Sequence, residues 1–193
     1  MKTPSTKSAR NLWATLVGAA SVGMLASFIQ TIERIDWGSN PKAPLVCDIN
    51  SVFSCNSVFG AWQSRVFGFP NSLMCVVFFA VLLGVGLAGL TGSALNRKLR
   101  LVLHFFSVFF LGFGAWYLLE SAYVIKALCI FCIFCYAAVI ALNWAWLRIN
   151  AADLPIKASY NKALIKSFDK GADSFFWLLW TLTIAALLFF KFA

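Results

Sequence analysis

Cys129-Ile130-Phe131-Cys132-Ile133-Phe134-Cys135-Tyr136 opens an apolar run that continues to about Leu147. A Cys-x-x-Cys pair is common in soluble redox proteins, where a helix N-terminus lowers the pKa of the first sulfur. Here the pair enters a segment that reads as a transmembrane helix. Two thiols one helical turn apart, held where lipid meets water, suit the passage of electrons to a membrane-soluble acceptor. A single membrane cysteine reads as a small packing hydrophobe. A triplet with a second pair upstream, Cys47 and Cys55, reads as redox chemistry.

The surrounding chain fixes the fold class. Its 193 residues are 61% hydrophobic, 17% aromatic and only 12% charged, with a mean hydropathy of +0.82. A soluble core of this length cannot hide so much apolar surface, so the chain is an all-α integral membrane protein. The net charge of +9 does not point to nucleic acid, because the cations sit in short segments between apolar runs.

Residues 1–11 read as a basic cytoplasmic tail and residues 12–29 as a first span, too long for the apolar region of a signal peptide. This span is expected to end near residues 30–34. Residues 36–71 form the longest polar loop, which carries Cys47 and Cys55. Within it Val58, Phe59, Trp62, Val66 and Phe67 recur at near-helical spacing, which predicts a short amphipathic helix at the membrane interface. Further spans are expected over residues 72–90, 101–123 and 126–147, and a polar cytoplasmic linker over 149–173. A fifth transmembrane helix, 174–193, has its apolar run at 174–190. The expected architecture is a four-helix transmembrane bundle, 12–148, plus that fifth helix.

Orientation follows from Lys and Arg. With the N-terminus inside, the inner segments hold eleven cations: Lys2, Lys7, Arg10, Arg97, Lys98, Arg100, Arg148, Lys157, Lys162, Lys166 and Lys170. The outer segments hold five: Arg34, Lys42, Arg65, Lys126 and Lys191. The positive-inside rule therefore favours a cytoplasmic N-terminus. Cys47, Cys55, Cys129 and Cys132 then all fall on the extracytoplasmic face.

Two dithiol pairs on one face form a minimal relay, in which the loop pair meets a soluble partner and the helical pair meets a membrane carrier. Zinc is the rival for four cysteines, but the first pair has seven intervening residues where about two to four are usual. No metal is expected. Cys135 and Cys75 read as packing thiols and His104 as a bundle histidine distant from the sulfurs. Asn71 and Tyr136 are hydrogen-bonding groups on apolar helices near the outer face, and such groups are functional candidates; Asn71 could equally cap its helix.

At these residues the chain resembles the vitamin K epoxide reductase family. The loop Cys47-Asp48-Ile49-Asn50-Ser51-Val52-Phe53-Ser54-Cys55-Asn56-Ser57-Val58-Phe59 keeps the family's Cys-Asp, its Ser-Cys and the Val-Phe that follows. Phe67-Gly68-Phe69-Pro70-Asn71 resembles the entry to the second helix of bacterial members. Leu128-Cys129-Ile130-Phe131-Cys132, with Tyr136 four residues on, resembles the active-site helix.

The resemblance implies that Cys129 and Cys132 are the redox-active pair and Cys47 and Cys55 the shuttle pair. It puts Cys132 nearest a quinone (menaquinone or ubiquinone), pairs Cys129 with Cys55 in exchange, and makes Asn71 and Tyr136 ligands of the quinone carbonyls. It also implies a quinone-dependent thiol–disulfide oxidoreductase of the cell inner (cytoplasmic) membrane. Such an enzyme re-oxidises a DsbA-like thioredoxin-fold protein, here expected to act in trans because the fused thioredoxin-like domain of many bacterial relatives is lacking. Cys135 departs from the Thr that relatives often carry. Two alternatives stay open: a reductase of a quinone or quinone epoxide, and a membrane scaffold with structural disulfides.

Overall fold

The computed structural model describes residues 6–41 and 44–193. Lys2, Lys42 and the first five residues of the expected tail lie outside the described residues. Among the described residues seven α-helices follow one another: α1 Thr6–Ser39, α2 Cys55–Gly60, α3 Asn71–Leu90, α4 Arg97–Glu120, α5 Ile130–Asn150, α6 Ala158–Asp169 and α7 Ala172–Phe192. Five segments are long and apolar enough to cross a membrane: Ala9–Ser39, Asn71–Leu90, Arg97–Ile125, Ile130–Asn150 and Ala172–Phe192. The protein is thus an all-α, multi-pass membrane protein.

Apolar side chains on α1, α3, α4 and α5 supply the main core, around Leu16, Phe79, Leu82, Leu142 and Trp146. α1 packs along both α3 and α5, and α5 also packs on α4. The approach of α1 to α3 is close: a Cβ at Gly23 would run into the Phe79 ring. α7 stands apart, and its apolar stretch lies wholly on the surface of the bundle. A bidentate ion pair fastens its start, with Arg148 Nε 2.6 Å from Asp173 Oδ2 and Nη2 2.8 Å from Oδ1.

The helix boundaries depart from expectation in four places. α1 starts inside the expected tail and continues to Ser39 rather than ending at residues 30–34. At 34 residues it is about 50 Å long, well over the hydrocarbon thickness of about 30 Å. Its projecting end is held by the cysteine loop instead of lipid. The Trp37 indole donates to Asn56 Oδ1 at 3.0 Å, Val46 N–H donates to Glu33 Oε2 at 3.0 Å, and Arg34 lies over the Phe59 ring of α2.

The amphipathic stretch at 58–67 is two pieces, α2 and a 3-10 turn Trp62–Arg65, separated by extended backbone at Ala61. Val58 and Phe59 turn inward, while Trp62, Val66 and Phe67 form the exposed apolar side. The expected linker at 149–173 contains the amphipathic helix α6.

The third span ends in a wide π turn, Ser121–Ile125, and Lys126 reverses the chain with a positive φ of 62°. As a result α5 starts at Ile130 and Cys129 lies just before it, in extended conformation.

Candidate functional site

The loop between α1 and α2 is shaped by its own short polar side chains. Asn50 Oδ1 accepts from the N–H groups of Val52 (2.9 Å) and Phe53 (2.8 Å), and Asp48 Oδ1 accepts from Asn56 N–H (3.1 Å). These turns carry Phe53 against Leu128 as an isolated parallel bridge. Leu128 N–H donates to Val52 O at 2.7 Å, and Ser54 N–H donates to Leu128 O at 3.1 Å. Ser54 then caps α2 by accepting from Ser57 N–H. The bridge is the reason that Cys55 and Cys129, each one residue beyond a bonded strand residue, meet.

Cys47 and Cys55 form a disulfide with Cα atoms 5.7 Å apart. The Cys55 Sγ lies 3.3 Å from the Cys129 Sγ. Cys129 and Cys132 are free thiols. Gln30, on α1, donates from Nε2 to Cys132 Sγ at 3.1 Å and to Cys129 Sγ at 3.5 Å. Cys47, Cys55 and Cys129 are fully buried, enclosed by Leu45, Val58, Phe59, Tyr117 and Ala127.

The Cys129 thiol is held below its ordinary pKa. A hydrogen bond with the Cys132 side chain is the largest cause, burial opposes it, and the backbone amides of Cys132 and Phe131 at the start of α5 add to it. A thiol so placed is a better leaving group and is ionised at lower pH.

Beside Cys132 lies a mainly apolar cavity, lined from α1, α3, α4 and α5 and capped by Phe59, Ser64 and Pro70 of the loop. Its polar groups include Gln30, Arg34, Asn71, Cys132 and Tyr136, and phenylalanines including Phe79 and Phe110 form its walls. Asn71 is the first residue of α3, but its side chain does not cap the helix. Instead Nδ2 donates to Gln63 O at 2.7 Å, and the buried Oδ1 has no partner among the described residues. Tyr136 packs against Gly114, where a Cβ would come within 2.6 Å of the ring. Its hydroxyl accepts from the Trp180 indole N–H at 2.9 Å.

The second N–H of the Asn71 amide and the Tyr136 phenol hydrogen can each donate to a carbonyl oxygen, and the unpaired Asn71 oxygen can accept from a hydroxyl, so the slot suits a flat ring whose end oxygens alternate between carbonyl and hydroxyl. A quinone fits that description. Cys75 and Cys135 also line the cavity, and the Cys135 thiol points to Gly23 O at 3.7 Å. His104 is buried on α4.

The structure therefore brings together Cys47, Cys55, Cys129 and Cys132, and sets Asn71 and Tyr136 around a cavity that Cys132 also touches. Sequence reasoning passed over three participants. Gln30 read only as the exit of the first span, although a glutamine inside an apolar helix is the kind of group that marks a site. Arg34, another lining residue, counted only toward topology. Trp180 counted only as part of the apolar run of the fifth helix.

The vitamin K epoxide reductase family model matches residues 14–147. The matched stretch runs from α1 into the last turn of α5, takes in every cysteine, and leaves α6 and α7 outside. By that match the chain belongs to the vitamin K epoxide reductase family, whose members use quinones as electron partners, and is a multi-pass membrane oxidoreductase.

Proposed function

We propose that this protein re-oxidises an extracytoplasmic thioredoxin-fold protein of the DsbA type and delivers the two electrons to menaquinone or ubiquinone. The observation that carries the reading is the 3.3 Å separation of the Cys55 and Cys129 sulfurs, with Cys132 between that contact and the cavity. The sulfurs form a continuous path from the loop to the apolar interior.

Three thiol–disulfide exchanges and one transfer to quinone complete the cycle. A partner dithiol attacks the Cys47–Cys55 disulfide, leaving with a disulfide of its own and a reduced loop. Cys55 thiolate then attacks Cys129 of the oxidised Cys129–Cys132 pair, and Cys132 leaves as thiolate. Cys47 attacks Cys55, restoring the loop disulfide and freeing Cys129. The Cys129–Cys132 dithiol finally gives two electrons and two protons to the quinone and closes its own disulfide. The state described above, with the loop oxidised and the α5 pair reduced, is the one reached after a partner's electrons have crossed.

This chain's residues have separable tasks in the scheme. Gln30 donates to the two sulfurs that carry transient negative charge, and hydrogen bonds to charged groups are stronger than neutral ones. Asn71 and Tyr136 hold the ring oxygens, and the phenylalanine walls exclude water. The quinone supplies a two-electron acceptor dissolved in the membrane. The eleven-to-five division of cations supports a cytoplasmic N-terminus, with the cysteine loop outside.

The test is a purified assay with a reduced DsbA-like protein and ubiquinone-1 or menadione. One quinol should form per partner disulfide, and formation should stop when any of the four cysteines is replaced. Quinol consumption with net reduction of the partner would reverse the assigned direction. Fixed disulfides that never exchange with quinone would leave only a scaffold.

A further inference from the structure

We infer that Trp180, on the helix outside the family match, is a positioning residue that aims the Tyr136 hydroxyl hydrogen into the cavity. The inference rests on the quinone reading above and extends it to α7.

An indole N–H can only donate. The Trp180 Nε1–Tyr136 Oη contact at 2.9 Å therefore makes the phenol oxygen the acceptor. Its own hydrogen must point elsewhere, and no acceptor among the described residues takes it. Tyr136 lines the cavity, so that hydrogen is the donor available to a carbonyl oxygen there. A phenol without the indole rotates its O–H between orientations; with the indole in place the orientation that donates to Trp180's side is closed.

The contact is selective within α7. The Trp177 indole nitrogen, one turn earlier, is covered yet has no acceptor among the described residues, so an indole on this helix does not find a partner merely by being there. The supports of α7 also favour a fixed register. Arg148 grips Asp173 at its start. The Tyr123 hydroxyl donates to Leu187 O at 3.0 Å toward its end. Trp180 sits between these two fastenings, so the helix that buries least against the bundle still reaches the cavity through one hydrogen bond.

The experiment compares Trp180→Phe, Tyr136→Phe and the double variant in the purified assay, with ubiquinone-1 and menadione as probes. Trp180→Phe keeps an aromatic ring and removes the N–H. It should raise the quinone KM by roughly two- to tenfold, the range for one neutral hydrogen bond. The KM for the reduced partner protein should be unchanged. The double variant should be no worse than Tyr136→Phe, because without the hydroxyl there is nothing for Trp180 to aim.

Independent of turnover, the Trp180 indole 15N–1H resonance should shift in Tyr136→Phe, and this decides the contact even where Trp180→Phe does not fold. Additive losses in the double variant, a matching rise in the partner KM, or an unmoved indole resonance would overturn the positioning role. If Trp180→Phe has no effect while Tyr136→Phe weakens quinone use, the inference fails and the quinone reading stands. If Tyr136→Phe itself leaves quinone use intact, the cavity assignment fails and the inference with it.

Discussion

Replacing Cys132 with Ser removes the thiol that resolves a Cys55–Cys129 bond, and adding a loop substitution then tests which loop sulfur communicates with α5. The two sulfurs stand 3.3 Å apart. A disulfide is about 2.05 Å long, so they must close by about 1.3 Å, a distance that side-chain rotation covers. In Cys47→Ser/Cys132→Ser the only proximal pair left is Cys55 and Cys129. Mild oxidation should link them almost completely.

In Cys55→Ser/Cys132→Ser the remaining loop thiol is Cys47, which is turned toward its own partner rather than toward Cys129. A misplacement of about 1 Å costs on the order of a hundredfold in well-oriented sites, so linkage there should be slower by about that factor. Rapid alkylation followed by non-reducing mass mapping reads both variants. Equal rates of linkage, or faster linkage through Cys47, would refute the assigned order of sulfurs. A bond from Cys135 to the loop would show that the relay enters α5 at the wrong sulfur of the triplet.

Other outcomes follow from the same geometry. The Cys129 pKa lies below that of an ordinary thiol, so its thiolate persists as pH falls and is lost only below the usual thiol range. Thiolate absorbance, titrated in a background lacking Cys75 and Cys135, should show the half-point moving up when Cys132 becomes Ala, because the hydrogen bond with Cys132 is the main cause. Gly114→Ala places a methyl 2.6 Å from Tyr136. That overpacking should cost about 1–3 kcal/mol in thermal unfolding and weaken quinone use, while Cys55–Cys129 linkage stays intact. A membrane-impermeant maleimide added to intact cells should label Cys47 or Cys55 after reduction; labelling only after permeabilisation would invert the topology.

The spans were legible because a membrane helix must hide its own backbone bonds and therefore needs an uninterrupted apolar run. The cysteines were legible because their order and spacing are unusual in an apolar chain. What escaped was set by contacts distant in sequence. α1 outruns its apolar run because Glu33, Arg34 and Trp37 find partners in the cysteine loop. Cys129 leaves the helix because Leu128 bonds to Val52 and Ser54. Gln30 lies 99 residues from Cys129 and Trp180 44 residues from Tyr136, and no local periodicity encodes either meeting.

The bridge between Phe53 and Leu128 has a consequence for encounter with a partner. It closes the loop over sulfurs that have no surface of their own, since Cys47 and Cys55 are both 0% exposed. An incoming thiolate reaches them only once the loop moves, and the bridge is one of the contacts that such a movement breaks. Its two backbone hydrogen bonds together contribute about 1–3 kcal/mol, which on that count alone leaves the loop open for between roughly one molecule in six and one in two hundred. A partner's apparent affinity is weakened by the same fraction. Small intracellular-type thiols and stray surface cysteines meet a closed door at the same frequency but bring no binding energy to hold it open. Selectivity for a dedicated partner can thus arise from a hinge of two peptide bonds' worth of pairing, with no recognition pocket around the sulfur.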